Sequence, residues 1–161
     1  MEDAPPMRNK ILWLDNDLAY IEPYVEILRE SGFEVNPVPT ITQAEDQLKG
    51  DYDLLILDIM IPTKTEQEEQ VYRPERTEAG RKTGLAFYTR MKQALEEKGC
   101  RLLVLTVRLD ESIFEEFLAA GLPRECYDTK MTLREAPIFL ERVKDILAKP
   151  GAGQAQRDQE Q

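Results

Sequence analysis

The sequence predicts an α/β domain in which a parallel sheet of five strands carries helices on both faces. Three observations point there. Asp53-Leu54-Leu55-Ile56-Leu57-Asp58-Ile59-Met60-Ile61-Pro62 is an unbroken apolar run of strand length, the pattern of a strand covered on both faces; it ends in a carboxylate, and a proline stops it four residues later. Short apolar runs of this kind alternate with helix-spaced segments five times along the chain. The length of 161 residues fits one domain with frayed ends, large enough for an ordinary core without metal or disulfide staples.

Residues 1–8 are acidic and proline-bearing and are expected to form a loose leader. Lys10–Leu14 reads as a buried strand that runs into Asp15-Asn16-Asp17. From Leu18 to Ser31, Ile21, Tyr24, Val25, Ile27 and Leu28 follow helical spacing, Gly32 supplies a stop, and Pro23 falls early enough to be tolerated. Phe33–Val38 is a second strand. Pro37 and Pro39, two residues apart, remove donors on the same side, which a sheet edge accommodates and a central strand does not. Thr40 or Thr42 can cap a short helix to Leu48, and the Asp58 strand follows. If the proline-bearing strand is an edge, the strand order is 2-1-3-4-5, a flavodoxin-like three-layer sandwich, rather than the 3-2-1 dinucleotide order. No glycine-rich phosphate fingerprint follows the first strand.

The stretch of about 63–83 departs from the pattern. It is polar with nearly balanced charge and reads as a long irregular insertion, which in a compact domain means a lid, a binding loop or disorder. Gly84–Lys98 is again helical, and Gly99 ends it. Arg101–Val107 is a fourth buried strand, Asp110 can cap a helix that closes at Gly121, and Glu125–Asp128 is a short fifth strand ending near Lys130. Thr132 and Glu135 have capping-box spacing for a last helix to Ala148, although Pro137 suits a start nearer Ala136. Residues 149–161 are rich in Gly, Gln and charge and are expected to be disordered.

Composition excludes several classes of function. A net charge of -10 argues against a nucleic-acid partner, which needs clustered Lys and Arg. The absence of histidine rules out Ser-His and Cys-His nucleophile pairs and His-ligated zinc. Cys100 and Cys126 lack metal-ligand spacing and read as reduced thiols. With no apolar run of signal-peptide or membrane-spanning length, the expectation is a soluble, cytoplasmic protein without membrane partners.

In a 2-1-3-4-5 sheet, strands one, three, four and five end at one edge and deliver Asp15, Asn16 and Asp17, then Asp58, Thr106 and Lys130. Clustered carboxyl and amide oxygens suit Mg2+. A carboxylate there can attack a phosphoryl group and form an acyl phosphate, if positive charge and donors meet the peripheral oxygens. Asp58 is then the nucleophile, Lys130 a counter-charge and Thr106 a donor.

Over about Asn9 to Ala148 the sequence resembles the receiver domain of two-component response regulators, of the single-domain chemotaxis type. The resemblance is carried by Ile11-Leu12-Trp13-Leu14-Asp15-Asn16-Asp17, Leu54-Leu55-Ile56-Leu57-Asp58-Ile59-Met60-Ile61-Pro62, Leu103-Val104-Leu105-Thr106 and Tyr127-Asp128-Thr129-Lys130, in that order. It implies that Asp58 accepts phosphate from a sensor histidine kinase or a phosphotransfer protein. It implies too that Thr106 and Tyr127 act as switch residues, coupling phosphorylation to the surface formed by the fourth helix, fifth strand and fifth helix of the family, where a downstream protein target is met. The implied cofactor is Mg2+, with Asp15, Asn16, Asp58 and, as compensation, Asp17 as candidate ligands. The chain is then a phosphoacceptor signalling domain and not an enzyme, at most phosphorylating and dephosphorylating itself, with no output domain expected after Ala148 and homodimerisation on activation left open.

Three features depart from the family. Asn16 stands where a second acid, the direct metal ligand, is usual, so metal affinity should fall. Met131 replaces the proline that usually follows the lysine. A cis bond there would cost roughly 2.5–4 kcal/mol, so a trans bond and a shifted Lys130 are expected. The 63–83 insertion is far longer than the family's turn, and would screen the acyl phosphate from water or present a partner surface. Two alternatives stay in play. One is a binding module of the same fold that is no longer phosphorylated. The other is a haloacid-dehalogenase-type phosphatase, suggested by Leu14-Asp15-Asn16-Asp17, in which Asp15 would be the nucleophile and Asp17 the general acid.

Overall fold

The computed structural model describes residues 10–149 apart from 79, 108 and 109. The expected leader over 1–8, and the expected tail over 149–161 apart from Lys149, lie outside the described residues.

Five strands, β1 (Lys10–Leu14), β2 (Glu34–Val38), β3 (Leu54–Leu57), β4 (Arg101–Thr106) and β5 (Tyr127–Thr129), form one all-parallel sheet in the order β2-β1-β3-β4-β5. As the apolar runs require, every residue of β3 is buried, as are Ile11–Leu14 and Leu102–Leu105. Burying each large side chain contributes roughly 1.5–3 kcal/mol. The prolines of β2 sit where the sequence placed them. Val38 O accepts the Asp15 N–H (3.1 Å), so the peptide groups of Val38 face β1 and those of Pro37 and Pro39 face outward from the edge.

Right-handed crossovers decide which face each helix takes. Helices α1 (Leu18–Glu30) and α7 (Ala136–Ala148) share one face, where Trp13 of β1 meets Phe139 at a ring separation of 5.8 Å. The short α2 (Ile41–Gln47), α5 (Thr83–Lys98) and α6 (Glu111–Ala119) cover the other; Tyr88 of α5 and Tyr127 of β5 both pack on Phe117 of α6. Asp17, Thr40 and Asp110 are the N-caps of α1, α2 and α6 through their side-chain oxygens.

The insertion is not the irregular loop the sequence suggested. It forms two short helices, α3 (Glu66–Val71) and α4 (Pro74–Thr77). Thr65 caps α3 and Pro74 starts α4, and Thr65-Glu66-Gln67-Glu68 carries capping-box spacing. Glu68 leaves the box half-made. Its carboxylate instead accepts the Lys64 N–H (2.7 Å), the Thr42 N–H (3.0 Å) and the Thr42 hydroxyl, and so pins α3 to the start of α2. Tyr72 is buried against Phe87. At the far end, Arg81 pairs with Asp110 (2.5 Å) and Lys82 with Glu116 (2.8 Å), both on the α6 side.

Burial alone would raise the Glu68 carboxyl, but its three donors outweigh that and hold it below the ordinary carboxylate range. Glu68 therefore stabilises the insertion above the usual glutamate pKa, and that support is lost as pH falls through its depressed one. Glu68→Ala is expected to make the 63–83 segment several-fold more sensitive to limited proteolysis at pH 7 while the rest of the domain stays resistant. Unchanged cleavage would show that the insertion is held elsewhere.

One further boundary differs from expectation, and another falls where Pro137 placed it. Pro123 opens a 3-10 turn over Arg124–Cys126, closed by the Cys126 N–H to Pro123 O (2.9 Å), so β5 starts at Tyr127 rather than Glu125. A second 3-10 turn over Lys130–Arg134 takes up Thr132, and α7 begins at Ala136 with Pro137 in its first turn.

Candidate functional site

Sheet register builds the site. Leu14 pairs with Leu57, and the next residues along are Asp15 and Asp58. Each is tied to the neighbouring strand by its own N–H, Asp15 to Val38 O and Asp58 to Leu14 O, both at 3.1 Å. Two carboxylates thus emerge side by side at the carboxyl edge. Lys130, immediately after β5, reaches across to them: its Nζ lies 2.7 Å from Asp15 Oδ2 and 3.5 Å from Asp58 Oδ2. All three side chains are buried.

The second oxygen of each acid is also engaged. Asp58 Oδ1 accepts the Ile59 N–H (2.8 Å), and Asp15 Oδ1 accepts the Asp17 N–H (2.9 Å). Asp15 Oδ2 meets the lysine as an ion pair without hydrogen-bond alignment, which leaves lone-pair capacity at a buried oxygen. Burial, and after it the charge of Asp15, pushes the Asp58 carboxyl up to about 6; Lys130 and the Ile59 N–H pull the other way without cancelling it. For Lys130 burial favours the neutral amine, but the Asp15 contact and both carboxylate charges hold its pKa above the ordinary lysine value.

Thr106 ends β4, buried at the same edge. Register pairs it with Thr129 and pairs Val104 with Tyr127, so Tyr127 lies two residues down the adjacent strand and on the same face. The Tyr127 ring packs on Phe114 (4.8 Å) and Phe117 of α6, and its hydroxyl is buried without a hydrogen bond. It is more deeply buried than an ordinary half-covered strand tyrosine.

Asn16 and Asp17 do not join the cluster. Both are exposed, and Asp17 uses Oδ1 to cap α1 through the Tyr20 N–H (3.1 Å). Asp17, the residue expected to compensate for Asn16 as a metal ligand, thus has one carboxylate oxygen committed to the helix cap. Nor has Lys130 been shifted away by Met131. No peptide bond among the described residues is cis, and the ammonium still reaches both acids. The mouth above the lysine, about 190 Å3, is lined by Asp17, Tyr20, Val107, Lys130, Met131 and Arg134. None of these belongs to the insertion, whose described anchors lie on α2, α5 and α6.

A larger cavity of about 300 Å3 opens at the opposite edge of the sheet, among Tyr88, Leu95, Cys100, Leu102, Cys126 and Ile146. Its two thiols are buried, and burial pushes that of Cys126 up to about 11. Extending the β4–β5 register places Cys126 three residues along from Cys100, roughly 10 Å away at strand rise, too far to bridge. The convergent charged groups are at the other edge.

No family model and no curated protein matches the sequence. Solved structures do match it. A protein from Chloroflexus aurantiacus J-10-fl described as a response regulator shares 27% identity at a TM-score of 0.66, over 88% of this chain and 98% of its own. A response regulator from Thermotoga maritima shares 21% at 0.64, over 89% and 100%. A response regulator protein from Burkholderia pseudomallei, solved with a phosphorylated aspartic acid, a calcium ion and citrate, shares 14% at 0.56, over 88% and 75%. The fold is that of a CheY-like receiver domain.

Sequence reasoning missed three residues that shape the site or its supports. Glu68 had a signal in its capping-box spacing. Gly84 had none, because what requires it is the approach of α5 to the Asp58–Ile59 backbone. Tyr20 had only its place in the first turn after Asp17.

Asp15 and Asp58 present hard oxygen donors, and with Lys130 the cluster carries a net charge of about -1, a donor set that fits a divalent cation such as Mg2+. Among the described residues no third carboxylate, histidine or cysteine completes a ligand cluster. Any further ligands would be water, backbone, the Asn16 amide or Asp17. No helix among the described residues is long and apolar enough to cross a membrane.

Proposed function

We propose that the chain is a phosphoacceptor signalling domain. Asp58 takes a phosphoryl group from a sensor histidine kinase or phosphotransfer protein and passes the signal to a protein target by surface contact. The observation that carries this is the pairing of Asp58 with Asp15 under a lysine that reaches both, at the mouth-bearing edge of a receiver fold. In the transfer an Asp58 carboxylate oxygen forms a bond to phosphorus, the P–N bond of the donor phosphohistidine breaks, and the donor imidazole takes up a proton. Lys130 offsets the charge brought in by the phosphoryl oxygens, and Thr106 is the hydroxyl donor from the adjacent strand end. Mg2+, held by Asp15 and Asp58 with Asn16 beside them, would supply further positive charge to those oxygens. Tyr127, on the Thr106 face of the sheet and against α6, is the residue through which a change at Thr106 would reach the α6–β5–α7 surface.

The phosphorylated aspartic acid and calcium ion of the Burkholderia pseudomallei protein support this reading at the level of the fold. A second reading, a module of the same fold that binds partners without being phosphorylated, is favoured by exposed Asn16 and by the absence of a third carboxylate among the described residues. Incubation with a small phosphodonor and Mg2+ separates the two. The proposal expects the intact protein to gain the mass of one phosphoryl group, and the gain to be lost on adding a chelator. The binding module gains nothing under either condition.

A further inference from the structure

Four groups at the mouth close on one another. Asp15 ion-pairs with Lys130 through Oδ2 and accepts the Asp17 N–H through Oδ1. Asp17 in turn accepts the Tyr20 N–H and so fixes the first turn of α1. The Tyr20 ring returns to the lysine, with Lys130 Nζ over its face 5.6 Å from the centroid, within cation–π range. Tyr24, one turn on, packs on the ring with centroids 6.0 Å apart. Tyr20 is 42% exposed and therefore adds little to the core, yet it lines the mouth together with Met131 and Val107.

We propose that Tyr20 is a positioning residue for Lys130: its aromatic face holds the ammonium between Asp15 and Asp58 and lines the passage by which a phosphodonor reaches Asp58. The proposal rests on the phosphoacceptor reading for its consequence, but not for the contact itself. It accounts for a feature the sequence left open. Met131 supplies no ring constraint after Lys130, and the lysine is nonetheless in place because carboxylates grip it on one side and an aromatic face covers it on another. The ring does the holding, and the phenol hydroxyl is dispensable.

Three variants of the full chain test this. Tyr20→Phe and Tyr20→Trp keep an aromatic face, whereas Tyr20→Leu keeps apolar bulk without one. With a small phosphodonor and Mg2+, the rate at which the protein gains a phosphoryl group is expected to fall about two- to fivefold in Tyr20→Leu, the worth of a partly exposed cation–π contact, and to stay near wild type in Tyr20→Phe and Tyr20→Trp. In unphosphorylated protein the Lys130 Cε protons are expected upfield of ordinary lysine, shifted by the ring current, with that shift kept in Tyr20→Phe and lost in Tyr20→Leu. A wild-type rate in Tyr20→Leu, or a Tyr20→Phe as slow as Tyr20→Leu, overturns the positioning role. If even the wild type gains no phosphoryl group, the phosphoacceptor reading fails, and the proton shift alone decides the contact: its absence in the wild type overturns it.

Discussion

Lys130→Met is expected to cost the fold about 3–5 kcal/mol at pH 8, measured by urea denaturation with a chelator present. The substitution keeps an unbranched side chain, one atom shorter, and removes the charge that faces two buried carboxylates. Asp15 and Asp58 are then left side by side without compensation, and breaking a buried pair in this way costs more than the pair itself contributes. The pH dependence identifies the cause. Asp58 already titrates near 6 with the lysine present, so its folded pKa lies above its unfolded value and its charge destabilises the fold as pH rises through that range. Removing Lys130 raises that pKa further. The deficit of the variant should therefore be largest above pH 7 and shrink toward pH 5, where one carboxyl holds its proton. A deficit equal at pH 8 and pH 5 would trace to lost packing instead.

Gly84→Ala is expected to disturb the site from behind. Gly84, at the start of α5, donates its N–H to Ile59 O at 2.7 Å, and a Cβ there would sit 2.4 Å from Asp58 O and 2.6 Å from Ile59 Cα. Both are backbone atoms, so no side chain can turn aside; either α5 or the Asp58–Ile59 segment must move. Forced overpacking of this kind costs about 1–3 kcal/mol. For a chain of this size that lowers Tm by roughly 3–10 °C. Because the displaced segment carries the proposed phosphoacceptor, phosphoryl gain should slow as well. Gly50→Ala is the matched control: its added Cβ makes one ordinary contact, 3.4 Å from Gln47 O, and should change neither property. Equal melting of the two variants would show that the close approach is not rigid.

The sheet was legible because its logic is one-dimensional. Unbroken apolar runs name the buried strands, two prolines name the edge, and strand order then follows. Asp15, Asp58, Thr106 and Lys130 were legible for the same reason: a residue that ends a strand in a parallel sheet must emerge at the carboxyl edge. What escaped depends on a third dimension. That Asp17 caps a helix shows only once α1 is placed. The charge balance of 63–83 concealed two short helices, since helices of this length are held by anchors elsewhere in the chain, here Thr42 for Glu68 and α6 for Arg81 and Lys82. Tyr20 and Gly84 matter through distances to residues far away in sequence, which no local spacing records.

Asp58, and no other side chain, is expected to receive the phosphoryl group. Peptide mapping of protein treated with a small phosphodonor and Mg2+, with the acyl phosphate trapped by reduction before digestion, tests it directly. Label is expected on Asp58, retained at reduced yield in Asp15→Asn and absent in Asp58→Asn. Label on Asp15, persisting in Asp58→Asn, would contradict it and revive the phosphatase chemistry that the first strand also suggested.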